Sequence, residues 1–123
     1  MKKRVKTKWL KALRSGDYSR TTGQLRDENG FCCLGVLCNI HAQEHPELAV
    51  KETSKFSYMD ASGHLPPAVV EWAGLRDVAE EEAEDEPTDV KVTYRGQATT
   101  LVNLNDTDKL SFKQIANVIE RCL

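Results

Sequence analysis

The sequence has no apolar run approaching the roughly 20 residues a membrane-spanning helix needs. Its basic N-terminus is not followed by the uninterrupted apolar stretch of a secretory signal. These absences point to a soluble, cytoplasmic protein with no membrane partner. No C-x-x-C spacing occurs among the four cysteines, which argues against the usual zinc frameworks. There is no G-x-G-x-x-G and no Walker pattern, so no standard dinucleotide or NTP site is indicated. A DNA-reading motif is also missing and the net charge is −2, so nucleic acid is not an expected partner. No internal repeat is present, and 123 residues suit one domain spanning 1–123, because a second core would be hard to build.

What is present begins with Phe31-Cys-Cys-Leu-Gly-Val-Leu-Cys38, a nearly all-apolar run holding three of the four cysteines. Free cysteine behaves as a small hydrophobe, so the run marks the centre of the core. In a reducing cytosol these are thiols; adjacent Cys32 and Cys33 are in any case poor disulfide partners. The charges are segregated. Residues 1–14 carry seven cations and no acid, whereas residues 80–86 are acidic at six of seven positions. The first is read as a solvated helix face and the second as part of a mobile acidic loop over 79–88.

Val5, Trp9, Ala12 and Leu13 recur at helical spacing and predict a helix over 4–14, stopped at Ser15-Gly16. Residues 21–26 read as a short strand, and Glu28-Asn-Gly30 as a turn into Phe31. The apolar content from Cys32 to Gln43 is too long for a typical strand and predicts a buried helix, with Gly35 permitting a close neighbour and His45-Pro46 as the stop. A strand over Lys55–Asp60, a turn over Asp60–Gly63 and a helix after Pro66-Pro67, burying Val69, Trp72 and Ala73 and closed by Gly74, come next. Val90, Val92 and Tyr94 alternate, Arg95-Gly96 turns the chain, and residues 97–102 return as the second strand. Leu104-Asn-Asp106 leads to a last helix over 111–122, with a Ser111/Gln114 capping box and an apolar stripe of Phe112, Ile115, Ile119 and Cys122. The order αβαβαββα predicts an α+β fold with a small antiparallel sheet of hairpins and about four helices.

The residues invite four chemistries. A zinc site fails on spacing: Cys38 and His41 share a helix face, but Cys33 lies about 140° from Cys38 at 3.6 residues per turn. A nucleophilic Cys32 or Cys33, with His41 or His64 as base, needs exposure that Phe31, Leu34, Val36 and Leu37 deny it. No catalytic residue, metal or cofactor is therefore expected. A phosphate or base site has better material. Arg14, Arg20 and Arg26 lie on or beside the first loop with Tyr18 among them, and guanidinium forks with an aromatic suit a phosphate and a stacked base. Asn105-Asp106 reads mainly as turn or cap chemistry, with Asn105 available as a further polar contact to such a ligand.

Trp9-Leu-Lys-Ala-Leu-Arg-Ser-Gly-Asp-Tyr18, the 31–38 run, Leu65-Pro-Pro67, Trp72-Ala-Gly-Leu75, Leu104-Asn-Asp106 and Phe112-Lys-Gln-Ile-Ala116 together resemble small accessory proteins encoded by tailed bacteriophages. The similarity spans nearly the whole chain and brings no activity with it. It implies a protein acting in the bacterial host cytosol, where such proteins counter host defence or redirect host enzymes. The expected function is thus a non-enzymatic accessory protein that sequesters a nucleotide signal or related anion through Arg14, Tyr18, Arg20, Arg26 and Asn105. The alternatives are a protein–protein inhibitor of a host factor, using its charged faces, and a small cysteine-dependent enzyme. A homo-oligomer sharing one site stays open.

Overall fold

The computed structural model describes residues 1–49, 58–59, 65–80 and 89–123. Its first helix, α1 (Lys3–Ser15), turns Val5, Trp9 and Leu13 inward and ends at Gly16, whose left-handed φ of 81° closes the helix. A two-residue hairpin follows, β1 (Arg26–Asp27) with β2 (Gly30–Phe31), in antiparallel register Arg26↔Phe31 and Asp27↔Gly30. The central helix α2 (Cys33–Glu44) leads directly into a short α3 (Pro46–Ala49).

α2 is buried along most of its length: Cys33 to Cys38, Ile40 and His41 are all buried. A helix apolar on every side needs neighbours on every side, and α1, α5, α4 and β2 supply them. Cys32 caps α2, its sulfur accepting the Gly35 N–H at 3.3 Å. Trp9 from α1 is fully buried and donates its indole N–H to the Cys33 carbonyl at 3.0 Å.

Beyond α2, α4 (Pro67–Ala73) begins at its prolines and closes at Gly74. A 3-10 turn at Arg76–Val78 leads to β3 (Ala79–Glu80), which joins β4 (Asp89–Tyr94) and β5 (Gln97–Thr100) in an antiparallel sheet ordered β3-β4-β5. Val90 and Val92 of the middle strand enter the core. α5 (Leu101–Asp106) and α6 (Phe112–Cys122) complete the chain, and α6 packs on α1 and β4. Ser111 and Gln114 make the complete capping box at the start of α6. The fold is α+β, as expected, and no described helix is long and apolar enough to cross a membrane.

Several local expectations are corrected. Residues 22–25 are bends, Thr21 is outside any regular element, and only Arg26–Asp27 pair as a strand. The reason lies in Phe31, whose N–H goes to the Ser19 carbonyl at 2.8 Å and whose carbonyl takes the Thr21 N–H at 2.7 Å. Its backbone groups are therefore engaged by residues 19 and 21 instead of by a longer hairpin. The returning strand stops at Thr100, not Val102, because the Thr100 hydroxyl accepts the Asn103 N–H and starts a helix. Leu104-Asn-Asp106 consequently belongs to α5. Cys122 is exposed, while Ala116 and Val118 join Phe112, Ile115 and Ile119 in the buried face of α6. Trp72 is half-buried, and Val70 takes an inward position beside Val69 and Ala73. Ala79–Glu80, read as the start of a loop, pairs with Asp89–Val90. The rest of that acidic loop, 81–88, lies outside the described residues, as do the Asp60–Gly63 turn and the expected strand over Lys55–Asp60 apart from Tyr58 and Met59.

Candidate functional site

The loop between α1 and α2 is where most of the selected residues gather. Its organiser is Asn105 on α5, fully buried at 0% exposure. The Asn105 Oδ1 accepts the Cys33 N–H at 3.2 Å, and its Nδ2 donates to the Thr21 carbonyl and to Asp106 Oδ1, both at 2.8 Å. One side chain thus satisfies a free N–H in the first turn of α2 and a carbonyl of the preceding loop. The Asn105 carbonyl in turn accepts from Arg20 Nη1 at 2.8 Å.

Asp27 secures the outer part of the same loop. Its carboxylate accepts from Thr21 Oγ1 at 2.7 Å and from the N–H groups of Asn29 and Gly30. These bonds, with Thr21 contributing most, hold the Asp27 carboxyl below its ordinary range.

Phe31 joins the remaining members. Tyr18 meets its ring edge-on, with centroids 5.1 Å apart, and the Arg26 guanidinium lies 5.1 Å from the Phe31 centroid. Tyr18 is fixed at its other end, where its hydroxyl accepts from Asn39 Nδ2 at 2.7 Å. Arg20 forms an isolated parallel bridge to Phe31. The result is an exposed arginine, a second partly buried arginine and two half-buried aromatic rings on a hydrogen-bonded frame. Such a surface offers charge-assisted donors and π-faces to an anion with a planar part.

Arg14 is not brought to this group. Its Nη2 donates to Asn117 Oδ1 at 2.9 Å and pairs with Glu120 Oε2 at 2.7 Å, both on α6. That partner holds the Glu120 carboxyl below its usual range. Asn105 serves chiefly as the frame beneath the loop, a role close to the cap chemistry expected of it but directed at another helix. Phe31, Thr21 and Asp27 were missed. An aromatic residue placed where a polar turn meets an apolar run is the signal that marks Phe31 as a boundary side chain, shared between core and surface.

The cysteines and histidines make a different picture. Burial pushes the Cys32 thiol up to about 12 and the Cys33 and Cys38 thiols well above the ordinary value. Thiols so held stay protonated at neutral pH and are poor nucleophiles. In native protein, Cys122 alone is expected to react promptly with a thiol reagent such as DTNB. Cys32, Cys33 and Cys38 should follow only on denaturation, and a second prompt thiol would contradict this burial.

His41, the candidate base, is buried. It shares a hydrogen bond with the Tyr58 hydroxyl through Nδ1, and its ring packs against Trp72 and His45 at 4.9 and 4.6 Å. Desolvation, and secondarily His45, lower its pKa. His64 lies outside the described residues. Among the described residues no three Cys, His, Asp or Glu side chains converge as a metal site would require.

Comparison with known proteins places the chain by family. No curated protein and no solved structure matches it. A family model described as Domain of unknown function (DUF8296) matches residues 1–123, the full sequence. The chain therefore belongs to the DUF8296 family.

Proposed function

We propose that this protein is a non-enzymatic accessory protein of bacteriophage type, which binds a nucleotide-like anion in the host cytosol and withdraws it from host defence. Tyr18, Arg20, Arg26 and Phe31 form the contact surface, with Asn105 holding it from below. The observation that carries the reading is the exposed Arg26 guanidinium beside the Phe31–Tyr18 ring pair. Phosphate would take the guanidinium forks, and a base would stack on an aromatic face of the Tyr18–Phe31 pair. The frame is already bonded before ligand arrives, so little ordering entropy opposes binding.

Two other readings have less support. The three thiols of the 32–38 run are protonated and buried, which disfavours a cysteine nucleophile there. The basic face of α1 is partly neutralised from within, since Arg4 and Lys8 pair with Glu44 and Arg14 with Glu120. That leaves less uncompensated charge to attract an acidic host protein.

Titration calorimetry with adenine and guanine mono-, di- and cyclic nucleotides tests the proposal. Wild-type protein should bind at least one of them. The Arg20→Ala/Arg26→Ala double variant should bind it at least tenfold more weakly, while Arg14→Ala should keep its affinity. No binding to any nucleotide, or equal binding by the double variant, would reject this surface as the site.

A further inference from the structure

A concave surface is lined by none of the residues of the Tyr18–Phe31 loop. It is a cleft of about 560 Å³ between the tip of the β4–β5 hairpin, the end of α5 and the first turn of α6. Its size is within the range of small-molecule sites. Its lining includes one guanidinium, Arg95, one carboxylate, Asp108, and the uncharged amides of Gln97, Asn103 and Gln114. Tyr94 and the buried Leu110 supply apolar surface.

Two of the amides are held in opposite senses. Gln114 uses its Oε1 to accept the Ser111 N–H at 2.9 Å, which leaves its NH2 as a donor. Asn103 uses its Nδ2 to donate to Thr99 Oγ1 at 2.9 Å, which leaves its Oδ1 as an acceptor. The capping box that starts α6 therefore also orients a polar group at the cleft.

The backbone around the cleft departs from its easiest course. Arg95 has φ 51° and Gly96 φ 77°, the left-handed pair required by a two-residue hairpin turn. Asn or Asp is the less strained choice at the first position, yet an arginine stands there, with its guanidinium 5.4 Å from the Tyr94 centroid. Lys109, between the lining residues Asp108 and Leu110, also has a left-handed φ, 53°. The hairpin turn itself sets the backbone at Arg95, and the arginine at its first position brings a guanidinium to the cleft.

We infer that this cleft binds a neutral, hydroxyl-rich ligand of the carbohydrate class. A polyanion would meet the Asp108 carboxylate and a cation would meet Arg95. A hydroxyl group both donates and accepts, so a polyol can use Asp108 and the Asn103 Oδ1 together with Arg95 and the Gln114 NH2. The apolar face of a sugar ring suits Tyr94 and Leu110. None of these groups belongs to the surface proposed for the nucleotide-like anion.

The test is an amide ¹H–¹⁵N NMR titration of the full chain with glucose, galactose, mannose, N-acetylglucosamine and ribose, and with AMP and inorganic phosphate in parallel. At least one sugar should shift resonances confined to residues 94–99, 103 and 108–114. Asp108→Ala and Arg95→Asn should each weaken that sugar at least tenfold, with the spectrum otherwise that of the folded protein. The asparagine variant suits the turn, so its loss of binding cannot be laid to a broken hairpin. No shift in the cleft with any sugar, or shifts there with AMP or phosphate alone, would overturn the inference.

Discussion

Replacing Gly35 with alanine is expected to destabilise the protein severely, against the direction that helix propensity alone predicts. In an isolated helix the change would favour the folded state by about 1 kcal/mol. Here a Cβ at position 35 would stand 1.7 Å from the Leu25 carbonyl oxygen and 2.6 Å from its carbon. Both are backbone atoms, so no flexible side chain can swing away. The same carbonyl accepts the Cys32 N–H at 3.0 Å, and moving it would disturb the N-cap of α2 as well. Overpacking a core that can adjust costs roughly 1–3 kcal/mol, and this contact should exceed that range. A loss of about 4 kcal/mol takes a large part of the 5–15 kcal/mol that holds a typical domain. Thermal melting followed by circular dichroism should show a midpoint lowered by roughly 15 °C or more, or no cooperative transition. A midpoint within a few degrees of wild type would mean that α2 and the preceding loop are not in this contact.

Substituting Asn105 comes next in size. Asn105→Ala removes the acceptor of the Cys33 N–H and the donor to the Thr21 carbonyl. Each buried backbone group left without a partner costs about 1–3 kcal/mol, so a total near 3–4 kcal/mol is expected in urea unfolding. Asn105→Asp keeps the size and the acceptor but loses the NH2. It would place a carboxylate against the Thr21 carbonyl and Asp106, and it should be no more stable than the alanine variant at neutral pH. A near-neutral Asn105→Asp would show that the amide NH2 contributes little. Because Arg20 bonds to the Asn105 carbonyl and Thr21 adjoins it, either variant should also loosen the loop bearing Tyr18, Arg20 and Arg26. Nucleotide affinity should then fall along with stability, whereas Arg20→Ala/Arg26→Ala should lower affinity with little change in the unfolding midpoint.

Much of the secondary structure was legible because it is encoded locally. The α1 stripe of Val5, Trp9 and Leu13, the stop at Gly16, the proline start of α4 and the Ser111/Gln114 box each depend on residues within a few positions of one another. The turn at Arg95-Gly96 was readable for the same reason, as was α2, whose apolar length exceeds that of a strand. Gly35 could be suspected of close packing from its place in that run, although the sequence could not say what it would touch.

What tertiary structure decided was the assignment of partners across distance. Arg14, Arg20 and Arg26 look equivalent in the sequence, but an α6 carboxylate claims the first, an α5 carbonyl the second and a phenyl ring the third. Separations of 106 and 85 residues stand between the partners of the first two, beyond the reach of spacing rules. Asn105 carries the signature of a local turn or cap, yet it caps the backbone of a helix 72 residues earlier. A short polar side chain has much the same local preferences whether its partner is two residues away or seventy; burial removes water as the alternative partner and makes the distant bond necessary. The sequence alone therefore determined α1, α2, α4, α6 and the Arg95-Gly96 turn, because those follow from nearest-neighbour sterics and apolar patterning, whereas α5 emerged only from the fold. Which polar groups would stand together as a surface was settled only when packing brought α1, α2 and α5 around the 18–31 loop.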